Sequence, residues 1–149
     1  MKIHSLSKIG LLLVVVASLW ATSCKEDVNV TPDTQQVSSY DATLPLSWYN
    51  LFLEIDRYSP GYRPPAAARL LAYTGLAAYE SAVPGMPEYN SLRYQFQGLE
   101  IPVADLTKEY HWPASINASY ATIFRHFYPH ISAQHKAKID ALENQFNDE

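Results

Sequence analysis

Prolines bracket the most constrained segment of this 149-residue chain. Pro64-Pro65 opens it, and Pro84-Gly85 with Pro87 closes it. Proline suits the first turn of a helix, whose N–H groups have no partner to lose, and it stops a helix elsewhere. Between the brackets run Ala, Leu and Tyr, with Arg69 and Glu80 as the only charges. The spacing predicts one long helix with two faces. Ala67, Leu71, Gly75, Ala78 and Ala82 form a mostly small stripe that permits close approach of a neighbour. Ala66, Leu70, Tyr73, Ala77 and Glu80 form a second stripe with larger groups. A helix apolar almost all round is normally buried on several sides. Arg69 and Glu80 lie about 16 Å apart along the axis. They are therefore out of each other's reach, and each is expected to meet a partner on another element, most simply as a structural ion pair, the alternative being a pocket-lining role.

The periods on either side are also helical. Trp48, Leu51, Phe52 and Ile55 sit at i, i+3, i+4, i+7, with Ser47 as a candidate cap and Ser59-Pro60-Gly61 as the stop. Residues 85–110 form a long connection, unusual in a self-sufficient domain. A third helix runs from Pro113 towards Pro129, with Ile116, Tyr120, Ile123, Phe124 and Phe127 on its apolar face. A fourth follows Ser132, a good cap, and carries Ile139, Leu142 and Phe146. No segment alternates in the manner of a strand. The expected class is all-α, a helical bundle of about four helices.

The first 44 residues read differently. Residues 1–23 carry Lys2 and Lys8, an apolar run from Ile9 to Trp20, and small residues after it, the layout of a secretory signal. The run is about 12 residues, and a spanning helix needs about 20. The single cysteine, Cys24, follows Ala21-Thr22-Ser23. This resembles the lipobox of bacterial lipoproteins, which implies lipid attachment at Cys24 and a mature chain beginning there. The alternative is a signal cut nearby that leaves a thiol. Lipid chains contribute about 0.8 kcal/mol per buried methylene. Lys25-Glu26-Asp27 resembles the surface-export signal of lipoproteins in the Bacteroidetes group, although a plain charged tether would read the same. The implied location is the outer membrane, held through the anchor, facing either the cell surface or the periplasm. Residues 24–44 are polar and aperiodic, and read as a flexible tether. Loss of residues 1–23 removes two lysines and no acid, moving the formal charge from −4 to −6. An acidic chain without Lys/Arg clusters argues against nucleic acid as a partner.

Few residues suggest chemistry. His126 and His130 are four apart, a spacing that two metal ligands can use, but Pro129 interrupts the helix and no nearby Asp or Glu completes a set. His111 beside Trp112-Pro113 reads as packing at a helix entrance. Asn117-Ala118-Ser119 fits the glycosylation pattern, yet it lies inside a predicted helix. No Gly-rich phosphate loop or nucleophile elbow is present.

Four short patterns occur in order: Pro-Pro-Ala-Ala-Ala-Arg at 64–69, Ala-Tyr-Glu at 78–80, Pro-Gly-Met-Pro at 84–87 and Tyr-His-Trp-Pro at 110–113. Across about residues 45–147 the chain resembles the N-terminal helical region of bacterial vanadium-dependent haloperoxidase-like proteins, of the type-2 phosphatidic acid phosphatase superfamily. The resemblance implies an all-α bundle that holds vanadate or phosphate with Lys and Arg, using one His as metal ligand or nucleophile and another as acid/base. Such an oxyanion needs several fixed donors. The family motifs K-x6-R-P, P-S-G-H and S-R-x5-H-x3-D are not met. Arg63-Pro64 has Asp56 in the lysine's place, Arg125 follows Phe124 rather than Ser, and Ile131 stands where a histidine belongs. The expectation is therefore residues 45–149 as the N-terminal part of a larger bundle, without catalytic, cofactor-binding or metal-binding residues of its own. Vanadate is implied only for a full-length relative. Its expected partners are the membrane, through the anchor, and a C-terminal catalytic half or a second copy. The alternative is a complete, non-catalytic helical surface lipoprotein that binds a partner or glycan.

Overall fold

A computed structural model describes residues 36–61 and 64–148. The signal segment, Cys24 and most of the tether lie outside the described residues. Four helices follow one another: α1 Thr43–Tyr58, α2 Pro64–Ala82, α3 Trp112–Phe127 and α4 Ala133–Asn147. No strand occurs among the described residues, so the domain is all-α.

Each boundary has a local cause. α1 begins four residues before Ser47, because Asp41 Oδ1 accepts a hydrogen bond from the Thr43 N–H at 2.8 Å. That bond holds the Asp41 carboxyl below its ordinary range. Ser47 Oγ instead donates to the Thr43 carbonyl inside the helix. α1 ends at Ser59, and Gly61 makes the turn beyond it with φ of 76°. α2 starts on its two prolines and ends in a single 3-10 turn, Val83–Gly85. α4 is capped by Ser132, whose Oγ accepts from the His135 N–H at 3.2 Å.

The core gathers where α1, α3 and α4 meet. Trp48, Leu51, Phe52 and Ile55 of α1 are all buried, as their spacing predicts. They face Tyr120 and Phe124 of α3 and Ile139 and Phe146 of α4. Trp48 stacks on Tyr120 (centroids 5.8 Å, 15°) and meets Phe124 edge-on at 5.0 Å. α2 packs chiefly on α3 and runs antiparallel to it. Tyr73 lies against Phe127 near one end, and Gly85 lies against Trp112 at the other.

The expectation that α2 is buried on several sides is met only in its C-terminal half, where residues 74–82 are all buried or half-buried. Leu70, Thr74, Glu80 and Ala82 are buried, while Ala68, Arg69, Ala72 and Tyr73 are exposed. α3 covers one side of it, and the connection folds over its C-terminal end. Gly75 is not a point of close approach either, since a Cβ there would meet nothing within 4 Å. Among the described residues, no helix is long and apolar enough to cross a membrane.

Candidate functional site

Three of the four sequence patterns singled out above lie at the C-terminal end of α2, while Pro-Pro-Ala-Ala-Ala-Arg opens the helix at its other end. Glu80, nearly buried, receives two donors: Ser91 Oγ at 2.7 Å and the Leu92 N–H at 2.6 Å. Ser91 Oγ in turn accepts from the Arg93 N–H at 3.1 Å and its Nε at 3.3 Å. Arg93 Nη2 reaches the Pro102 carbonyl at 3.3 Å, and Tyr79 OH donates to the Asn90 carbonyl at 2.7 Å. These bonds strap the long connection onto the helix. The buried carboxylate thus takes its compensation from a hydroxyl and a main-chain amide. The expected ion pair at Glu80 is not formed, because the connection itself folds back over the helix end.

Below the strap, the Pro-Gly turn meets the Tyr-His-Trp-Pro segment. A Cβ at Gly85 would lie 2.3 Å from Trp112 Cε2, so the indole needs the glycine's bare backbone. Tyr110 stacks on Trp112 (5.2 Å, 19°), and its hydroxyl accepts from the Asp105 N–H at 3.0 Å. A cleft of about 330 Å³ opens beside this joint, lined by Glu80, Pro84, Met86, Tyr89, Arg93 and Leu106 among others. Its two charged groups are engaged in the strap, so the joint is built for architecture.

Asn117 is the polar centre of the core, with no exposed surface. Its Oδ1 accepts from Trp48 Nε1 at 2.9 Å. Its Nδ2 donates to the Glu143 carbonyl at 2.8 Å and to Asn147 Oδ1 at 3.0 Å. A side chain so enclosed and so bonded is not a glycan acceptor. Sequence reasoning missed this hub. The signal was a polar residue in register with Tyr120, Ala121 and Phe124 on one helix face.

The histidines separate. His126 and His130 are both exposed, one in the last turn of α3 and the other in the turn after it. His111 flanks the start of α3 and meets Tyr40 edge-on at 5.5 Å. No group of three or more His, Cys, Asp or Glu gathers as a metal site among the described residues. His135 does sit in a chain of a different kind. Its Nδ1 is 3.1 Å from Ser132 Oγ, and its Nε2 is 3.6 Å from Glu54 Oε1. These residue types match a nucleophile–base–acid relay, but Ser132 Oγ is occupied as the α4 cap and Glu54 is paired with Lys138. The Lys138 bond lowers the Glu54 pKa. The cluster fastens α4 to α1.

Arg69 has no ion-pair partner among the described residues, contrary to expectation. The side chain is exposed, so water solvates it at little cost. It lines a cleft between α2 and α3 with Tyr73, Ile123, His126 and Phe127.

An oxyanion such as vanadate needs several converging cationic donors. The described residues do not fit it. Arg125 is held by Asp140 and Glu143, Lys138 by Glu54, and Arg93 by Ser91 and the Pro102 carbonyl. The Arg69 cleft offers one guanidinium and one imidazole. Fold and site together define an all-α domain of four helices, with a hydrogen-bonded core and a strapped helix end. Set against protein families, curated proteins and solved structures, the chain gives no match.

Proposed function

We propose that residues 36–148 are a structural, non-catalytic helical part of a vanadium haloperoxidase/phosphatase-like lipoprotein, tethered to the outer membrane through Cys24. The carrying observation is the joint at the end of α2. Three of the four patterns behind the family resemblance contribute to it: Gly85 of one lies under Trp112 of another, and Glu80 of the third holds Ser91 and Leu92 of the connection. None of them presents a free cationic donor. In this reading the resemblance reflects shared architecture, and the groups that hold the oxyanion come from a catalytic half outside these residues. The outward side of α2, with Ala68, Ala72 and Tyr73 exposed, is the face such a half would cover.

Activity and anchoring are tested separately. The full chain should show no vanadate-dependent bromide oxidation and no phosphate-ester hydrolysis; measurable vanadate-dependent turnover overturns the structural assignment. Expressed in a bacterial host, the chain should incorporate labelled palmitate, and Cys24→Ala should abolish the label. Incorporation that survives the substitution removes the anchor from the proposal.

A second reading, a complete surface lipoprotein that binds a partner or glycan, is favoured by one feature. Tyr94, Val103 and Leu106 are strongly exposed along the connection, at 90%, 79% and 72%. A cooperative melt without binding of a hydrophobic dye supports this second reading, and strong dye binding by the native chain supports the first.

A further inference from the structure

The cleft between the N-terminal half of α2 and the C-terminal half of α3 sets an unpaired cation beside aromatic side chains. Five described residues line it: Arg69, Tyr73, Ile123, His126 and Phe127. None is an acid, in a chain whose formal charge is −4. Arg125 and Lys138 pair with carboxylates, whereas Arg69, like Arg57 and Lys136 elsewhere on the surface, has no carboxylate partner among the described residues. Arg69 and Tyr73 are four apart on α2 and therefore share a face. The Tyr73 ring is half-exposed and lies 5.7 Å from that of Phe127, tilted by 37°. His126 meets Phe127 edge-on at 5.4 Å. The cleft is thus lined by one guanidinium-bearing and one imidazole-bearing residue beside an aromatic wall.

We propose that this cleft binds a small aromatic carboxylate. The planar guanidinium fork of Arg69 matches a carboxylate and takes it through two parallel hydrogen bonds. His126 supplies one ring N–H in either tautomer. The exposed face of Tyr73, continued by Phe127 and Ile123, covers the ligand's ring by offset or edge-to-face packing. The cleft, about 420 Å³, falls in the size range of small-molecule sites. One guanidinium beside an apolar wall suits a flat organic monoanion better than an inorganic oxyanion, which asks for donors all round. The site shares no residue with the strapped joint, but Tyr73 also belongs to the face of α2 that the proposed catalytic half would cover, so binding there belongs to this chain without that half.

Benzoate titrated into the full chain tests this, followed through the ring-proton signals of Tyr73, Phe127 and His126. Saturable shifts confined to these rings are expected. Benzamide, the neutral analogue, should bind the unaltered chain about fivefold more weakly, and Arg69→Gln should weaken benzoate by a similar factor, the scale of one partly exposed ion pair. Arg69→Lys should fall between the two, and Lys136→Gln on α4 should change nothing. The proposal is overturned if no saturable shift appears, or if benzamide binds as tightly as benzoate. It is also overturned if inorganic phosphate reproduces the shifts at equal concentration, which would make the aromatic wall irrelevant. The benzamide and phosphate arms use the unaltered chain, so they decide the matter even if the Arg69 variants fold poorly.

Discussion

Two tryptophans organise this molecule in opposite ways. Trp48 sits where three helices meet, between the rings of Tyr120 and Phe124, and its indole N–H is matched to Asn117. Trp112 sits where a helix end meets irregular chain, and its ring fits because Gly85 has no side chain. The first junction is stabilised by what its residues add: ring contacts, a hydrogen bond and buried area. The second depends on what one residue lacks. Regular elements supply many redundant contacts, whereas an irregular joint rests on single residues whose replacement cannot be absorbed elsewhere.

Substitutions break that comparison in order of size. Trp48→Ala should cost most, about 3–5 kcal/mol of unfolding free energy, because a large buried ring leaves a cavity that three helices cannot fill. Asn117→Ala should cost about 1–3 kcal/mol by stranding the Trp48 N–H. Urea unfolding measures both, and a Trp48→Ala loss below about 1 kcal/mol would remove the junction from the centre of the fold.

Gly85→Ala comes next, at about 1–3 kcal/mol, the usual cost of forcing extra volume into a packed site. The strain should lie with the indole. Trp112→Phe in the Gly85→Ala background should therefore recover part of the loss. No recovery would mean that the glycine serves the turn rather than the ring.

Glu80→Ala should remove two of the bonds that strap the connection, leaving that of Tyr79 to Asn90, and cost about 1–3 kcal/mol, felt mainly as local opening. Amide exchange should quicken at Leu92 and Arg93 and stay slow at Ile55. Equal quickening in α1 would show that strap and core are one cooperative unit, and the contrast between the two regions would collapse.

The smallest effect appears only in alkali. Burial pushes the Tyr120 hydroxyl up to about 12, with Tyr49 adding to the rise. An unfolded tyrosine ionises near 10. The associated stability is fully present below pH 10 and is lost as pH rises from 10 to 12. Absorbance titration at the tyrosinate band should show a late step that Tyr120→Phe removes. If the step survives, the tyrosine at the core junction is more hydrated than the packing around Trp48 requires.

Much of the fold was legible in the chain. Proline placement set both ends of α2, the i, i+3, i+4, i+7 pattern placed the buried face of α1, and Ser132 marked the start of α4. Errors arose where a local rule met a tertiary choice. Ser47 looked like a cap, but Asp41 supplied an acceptor earlier in the chain. Glu80 was expected to find a cation and found the hydroxyl and amide of a segment about eleven residues on. Asn117, set aside as a glycan acceptor because it lies inside a helix, went unrecognised as the most enclosed polar side chain of the core.

Among the described residues, the sequence by itself determined the all-α class, the number of helices and most of their boundaries. Those follow from backbone sterics and from the period of apolar residues, both local in the chain. Only the tertiary structure decided that Gly85 lies under Trp112, that Asn117 joins three helices, and that Arg69 and His126 face one cleft without an acid. Each pairs residues far apart in sequence, and no local period encodes which side chains two packed helices bring together.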